Sequence, residues 1–260
     1  MENKVWLITT KTNLHVGNEN TSNYGLIDKS VQRDVLTGLP CINGSSLKGA
    51  LNEFFAVKKT GKINLVKVFG ADKMDNSKDK ETRKGEYSFL DAQLLSIPVQ
   101  SNNRLFYRAT SPGILKKFVE QLNLFGIKYD AFNLGFDLSS PIVFTEDGTK
   151  LGDFDAKKEI VNDTVKRIEE LIGKDIAIFN DEYFKELCGD DNLPIIARNK
   201  LDNGKSENLW YEQALPQETI FYSLFLSLEN DITKEILSGE IVQIGANATI
   251  GFGYCQFKQL

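Results

Sequence analysis

The stretch TIFYSLFLSL, at Thr219–Leu228, constrains the fold most, because aromatic and aliphatic residues run through it and make it the strongest strand of the chain. A strand of that kind needs partners beside it and helices over it. Val5–Thr10 alternates like a strand, Tyr87–Val99 has strand character around a central DAQLL, Leu105–Thr110 is a further short strand, and Tyr254–Phe257 can close the sheet. Between them lie two helical faces. Residues 46–57 place Leu47, Ala50, Leu51, Phe54 and Phe55 at helical spacing, and residues 113–125 do the same with Ile114, Leu115, Phe118, Leu122 and Phe125. A short helix is expected at Thr233–Ser238. Strand–helix–strand units joined by hairpins predict an antiparallel α+β sandwich rather than a doubly wound sheet.

Three segments interrupt that scaffold. Residues 13–41 form a connection long enough to suggest a functional loop. Residues 58–86 are charged around a small apolar centre of Leu65, Val66, Val68 and Phe69, and read as a projecting hairpin or arm. Residues 146–193 read as an acidic insertion. With 260 residues the chain suffices for one elaborated domain or two small ones, and one domain carrying these insertions is expected. No apolar run is long enough to span a membrane, and MENKVWLITT lacks the apolar core of a signal peptide. Cys41, Cys188 and Cys255 are scattered without a CxxC pair, so neither a disulfide framework nor a zinc site is implied and a reducing cytoplasm is the expected setting.

A formal charge of −5 argues at first sight against a nucleic-acid binder. Its distribution softens that: residues 129–193 carry 16 acidic and 7 basic side chains, which leaves the remainder of the chain net positive. The acidic region is expected to face away from any phosphate backbone.

Residues 24–55, YGLIDKSVQRDVLTGLPCINGSSLKGALNEFF, hold the densest chemistry. Ser45 and Ser46 are good helix N-caps. Lys48 follows in the first turn, where the helix dipole disfavours a cation and a bound phosphate would reverse that preference. An ordinary solvated lysine accounts for the same residue equally well. Asp28, in the polar loop, can ligate Mg²⁺ together with phosphate oxygens or take a proton from a 2′-hydroxyl, and Arg33 can hold a phosphate bidentately. Capping of a turn, or pairing with Lys29 or Arg33, is the plainer role for Asp28. His15 is the sole histidine, which excludes a two-imidazole ribonuclease and a multi-histidine metal site within one chain. In ENLWYEQALP, Trp210 and Tyr211 can stack on bases and Glu212 can position a metal or a hydroxyl; core packing and a salt bridge are the simpler uses. IGANATIGFG supplies Gly245, Gly251 and Gly253 for close backbone approach to a ligand, though neither a GxGxxG fingerprint nor a P-loop is present.

In order along the chain stand LHVGNEN, YGLIDKSVQRD, GLPCINGSSLKGAL, LWYEQALP and IGANATIGFG. This series resembles the repeat-associated mysterious protein (RAMP) superfamily of CRISPR systems over nearly the whole chain. Within it, LWYEQALP and IDKSVQRD look like the backbone subunit of the type III-B effector, the fourth Cmr subunit. The resemblance implies a ferredoxin-like, RNA-recognition-type palm with a thumb hairpin, in copies that stack along a guide RNA with other Cmr subunits and pair it with target RNA. It implies target cleavage beside each thumb with Mg²⁺ or Mn²⁺, and no membrane partner. Asp28 then takes the catalytic and metal-binding role, with His15 and Glu212 as lesser catalytic candidates. Ser45, Ser46, Lys48, Gly49 and the terminal glycine loop would hold guide phosphates. The thumb maps onto residues 58–86, with Phe69 or Met74 as the wedge. The alternatives are a non-catalytic RNA-binding scaffold of the same fold and the equivalent type III-A ribonuclease.

Overall fold

The computed structural model describes residues 2–17, 27–58, 64–71, 83–227 and 237–260. Tyr24, Gly25, Leu26, Met74 and most of the helix expected at Thr233–Ser238 lie outside the described residues.

The expected α+β class is observed. Its principal strands are β1 (Glu2–Thr10), β2 (Ala92–Val99), β3 (Tyr107–Thr110), β4 (Ile176–Ile178), β5 (Ile195–Asp202), β6 (Lys205–Gln213), β7 (Ile220–Ser227), β8 (Ile241–Gln243) and β9 (Tyr254–Gln259). The main sheet has eleven strands among the described residues, and its central order is β4–β3–β2–β7–β1–β9–β8. β1 lies antiparallel between β7 and β9, with Ile8 opposite both Phe221 and Phe257. β7 earns its place inside the sheet: seven of its eight residues are buried. This sheet is larger than a four-stranded ferredoxin-like unit.

Helix α1 (Gly44–Lys58) buries Leu47, Leu51 and Phe55, the stripe its periodicity requires. Helix α2 (Pro112–Leu124) starts at Ser111, whose side chain accepts from the Ile114 N–H, with Pro112 in the first helical position, and buries Ile114, Leu115, Phe118, Val119 and Leu122. Trp6 packs on Phe225 and Phe257, and Phe118 meets Tyr222 edge-on, so aromatic pairs tie sheet and helices into one core.

The acidic segment is woven into this sheet rather than appended to it. It supplies helix α3 (Asp163–Ile172), then β4, which runs parallel to β3, then helix α4 (Asp181–Leu187). It occupies the end of the sheet opposite to β8 and β9.

Of the arm expected at 58–86, the described portions are its roots. A short helix at Leu65–Phe69 packs against α1, and a two-residue ladder between Gly70–Ala71 and Arg83–Lys84 packs against that helix. Phe69 is buried and stacked on Phe89 with ring centroids 5.4 Å apart, so it is core and not a wedge. The long free-standing ribbon lies elsewhere, in the β5–β6 hairpin, which forms its own two-stranded sheet. Asn203 and Gly204, both at positive φ, make its turn. Most of its residues are exposed.

Candidate functional site

At the C-terminal end of β1 the chain leaves the sheet and is met by four other segments. Leu14 bridges to Leu215, Gly17 to Val31, Lys29 to Glu212 and Arg33 to Pro40. The loop before α1 joins through Gln32, whose carbonyl accepts from the Cys41 N–H and whose Oε1 accepts from the Asn43 N–H at 2.8 Å. The long connection 13–41 is therefore pinned, where described, by isolated bridges, two of them within the connection and two to residues 212 and 215.

Asp28 is exposed and locked at the base of the ribbon. Its N–H donates to the Tyr211 carbonyl at 3.0 Å, and its Oδ2 accepts the Tyr211 N–H at 2.7 Å. The second carboxylate oxygen has no hydrogen bond among the described residues. A carboxylate fixed through one oxygen and open through the other can accept a proton or ligate a cation without first being ordered.

Glu212, one residue further, is used quite differently. It is buried, and Lys29 Nζ, Trp210 Nε1, Asn247 Nδ2 and Arg198 Nε reach its carboxylate at 2.9, 2.8, 2.8 and 3.3 Å. Burial alone would raise its pKa, but the hydrogen bonds from Trp210, Lys29 and Asn247 with the charge of Lys29 outweigh that and hold it at about 2. The expectation of a Glu212 that positions metal or substrate is corrected: its oxygens are spent on fastening the polar loop, the ribbon and the glycine loop together. Trp210 is half-buried, with Lys29 Nζ 5.3 Å over its ring, and Tyr211 is the more exposed of the two aromatics.

His15 is buried, and its Nδ1 donates to the Gln213 carbonyl at 2.7 Å. Its own carbonyl accepts the Ala246 N–H at 2.9 Å. Gly245 sits at φ +78°, and a Cβ there would strike that His15 carbonyl, so only glycine closes this contact. Gly253 is as strict, because a Cβ would overlap the Ile244 carbonyl. Gly251 is exposed beside them.

Arg33 is not available to phosphate as expected. Its Nη1 donates to the carbonyls of Gly38 and Cys188, and its Nη2 pairs with Asp190 at 2.7 Å. It fastens the polar loop to the end of the acidic segment, whose Asp190 also accepts from Gln213.

Helix α1 begins two residues earlier than a Ser45 cap implies, which makes Lys48 the fifth helical residue and takes it past the first turn: the Asn43 carbonyl accepts the Leu47 N–H, and Asp91 accepts the Gly44 N–H at 2.6 Å. Ser45 and Ser46 lie in the first turn rather than at the cap. Ser45, Lys48 and Gly49 are exposed, and Lys48 makes no ion pair among the described residues.

No group of three His, Cys, Asp or Glu side chains placed to hold a metal ion occurs among the described residues. A metal here would rest on Asp28 alone among the site carboxylates. That fits Mg²⁺, which keeps several waters and binds through one or two carboxylates together with substrate phosphates.

Sequence reasoning missed two features. One is the β5–β6 ribbon as the projecting element, although Asn-Gly between two strand-like runs is a strong hairpin signal. The other is Asn247, which links the glycine loop to Glu212 from a left-handed backbone position.

The sequence model of the RAMP superfamily matches residues 7–256. The chain is 32% identical over 262 residues to the CRISPR system Cmr endoribonuclease Cmr4 of Pyrococcus furiosus, covering 88% of this chain and 87% of that one. The crystal structure of oligomeric Cmr4 from Pyrococcus furiosus superposes with a TM-score of 0.71 at 25% identity, covering 100% of this chain and 99% of that one. A chain of the type III-B Cmr-beta complex bound to cognate target RNA superposes with a TM-score of 0.79 at 24% identity, covering 100% and 97%, a likeness of fold.

Proposed function

Because the chain belongs to the RAMP superfamily, we propose that it is the backbone subunit of a type III-B, Cmr-type effector, an endoribonuclease that lies along a guide RNA and cuts the complementary target RNA. The relative named a Cmr endoribonuclease supports the activity. The observation that carries the site is the double clasp between Asp28 and the main chain of Tyr211. It sets an exposed carboxylate at the root of the only long ribbon among the described residues.

In this reading the β5–β6 ribbon is the thumb. It intrudes into the guide–target duplex and turns one nucleotide out, with Tyr211 and Leu209 as the exposed apolar side chains on that strand. A linkage freed from helical geometry lets the 2′-oxygen line up opposite the 5′-oxygen, and alignment supplies much of the rate. The open oxygen of Asp28 takes the 2′-hydroxyl proton. The 2′-oxygen–phosphorus bond forms and the phosphorus–5′-oxygen bond breaks. The departing oxygen takes a proton from solvent, leaving a 2′,3′-cyclic phosphate and a 5′-hydroxyl. Where the open oxygen of Asp28 instead holds Mg²⁺ or Mn²⁺ together with RNA oxygens, the ion would neutralise charge at the linkage and solvent would take the 2′-hydroxyl proton. His15 acts from beneath, holding Gln213 and the glycine loop in place. The start of α1, with Ser45, Ser46, Lys48 and Gly49, receives guide phosphates, as do the exposed Gly245 and Gly251; Gly253, expected to do the same, is buried with its N–H on the Asn13 carbonyl and packs the loop instead.

The test is Asp28→Asn in the assembled complex. It keeps the acceptor for Tyr211 and removes the base, so guide binding and assembly stay intact while target cutting falls by about 100-fold or more. Unchanged cutting would leave a passive RNA scaffold.

A further inference from the structure

Asparagine followed by glycine occurs twice in this chain, at Asn43–Gly44 and at Asn203–Gly204. The pair has a chemistry of its own. A glycine has no Cβ to hinder it, so its main-chain nitrogen can attack the side-chain carbonyl carbon of the asparagine before it and close a ring. Two local conditions govern the step. The nitrogen must be free, and the backbone must be able to turn until nitrogen and carbon meet. The two pairs differ on both counts.

Asn43–Gly44 is held. The Gly44 N–H donates to Asp91 at 2.6 Å, the Asn43 N–H donates to Gln32 Oε1 at 2.8 Å, and the Asn43 carbonyl accepts the Leu47 N–H where α1 begins. Gly44 is buried against the Phe89 carbonyl, where even a Cβ would overlap. A ring at this point would undo the start of the helix.

Asn203–Gly204 is free in each of these respects. Both residues are exposed at the end of the β5–β6 ribbon, with φ of +49° and +79°. They form the tight turn between Asp202 and Lys205, the last pair of the ladder. Neither the Gly204 N–H nor the Asn203 carboxamide has a hydrogen bond among the described residues. The two strands form a sheet of their own. A two-stranded ribbon is marginal by itself, so opening at its turn costs little.

We propose that Asn203 is a site of spontaneous covalent modification, passing through a cyclic imide with Gly204 to aspartate and isoaspartate. Hydroxide takes the Gly204 amide proton, and the nitrogen forms a bond to Cγ of Asn203. The Cγ–Nδ2 bond breaks, and Nδ2 takes a proton from water and leaves as ammonia, which restores the hydroxide. Water then opens the ring, at the side-chain carbonyl to give aspartate or at the main-chain carbonyl to give isoaspartate. One water enters, one ammonia leaves, and nothing is oxidised or reduced. Both products put a carboxylate at the end of the ribbon. Isoaspartate also threads an additional methylene into the main chain, for which a two-residue turn has no room. The modification stands without RNA. Only its consequence rests on reading the ribbon as the thumb, where the new charge repels RNA phosphates.

The test is peptide mass mapping of the full chain after ageing at mildly alkaline pH. The peptide spanning residues 199–208 should gain the mass difference between an amide and an acid, at least tenfold faster than the peptide holding Asn43. Part of the product should be a substrate for an isoaspartyl methyltransferase. Conversion no faster than at Asn43 overturns the proposal, as does aspartate without isoaspartate. Asn203→Gly keeps a turn of favoured type and removes the carboxamide, so its peptide should gain no mass; a gain there also overturns it. Effector complexes built from aged wild-type chain should cut target at least threefold more slowly than those from fresh chain, while aged and fresh Asn203→Gly cut alike. Equal cutting by aged and fresh wild type overturns the consequence for RNA. A fresh complex that does not cut counts against the nuclease reading instead, so the two fail separately.

Discussion

The Glu212 cluster and the start of α1 are both rich in polar motif residues, and they spend them in opposite ways. Around Glu212 the polar groups are spent on one another: one buried carboxylate takes four donors, from Lys29, Arg198, Trp210 and Asn247. At the helix start Ser45, Lys48 and Gly49 lie open to solvent. Groups already saturated by the protein hold structure; groups held in place but left unsatisfied are the ones a ligand can use. Asp28 belongs to the second kind by virtue of its neighbour, since the Glu212 cluster fixes the strand to which Asp28 is clasped.

The sharpest way to break that contrast is Glu212→Ala, which strands Lys29 and Arg198 without their anion. It should cost about 3–5 kcal/mol in denaturant unfolding and loosen all three loops at once. Glu212→Gln should cost less and should also change the acid limb of stability. The folded-state pKa of about 2 lies below the ordinary value of 4.5, so the charged form stabilises fully above pH 4.5 and loses its contribution as pH falls towards 2. The variant should therefore unfold with a flatter pH dependence across that interval; an identical acid limb would show that Glu212 is not tied as described.

Gly245→Ala comes next, since it forces a positive φ and a Cβ onto the His15 carbonyl. About 1–3 kcal/mol of destabilisation is expected in thermal melts. Arg33→Ala should lower stability through the lost clasp on Gly38, Cys188 and Asp190, yet leave the salt dependence of guide binding unchanged. A reduced salt slope would return Arg33 to the RNA. The smallest effect on stability is that of Lys48→Ala, within about 0.5 kcal/mol. Its mark is on binding, where the slope of affinity against salt should fall by about one unit for the lost phosphate contact.

Much of the scaffold was legible because period decides it. The alternation in Val5–Thr10 and the run in Thr219–Leu228 became β1 and β7, and the apolar stripe of residues 113–125 became α2 one residue earlier, at Pro112–Leu124. The five motif blocks were legible as ingredients of a site. Their division of labour was not. Nothing in QRD separates an arginine free for phosphate from one bound to Cys188 and Asp190, because those partners lie more than 150 residues away. The ribbon was overlooked because its strands mix apolar and charged residues without a regularly buried face, and a strand without a buried face leaves little pattern to read.

The sequence by itself determined the strands and helices of the core and brought chemistry-bearing residues into five short blocks, since hydrophobic period and turn residues act locally. Only the tertiary structure decided which of those residues stay available. A polar group is committed or free according to what packs against it, and for Glu212, Arg33 and Asp28 those neighbours come from distant parts of the chain.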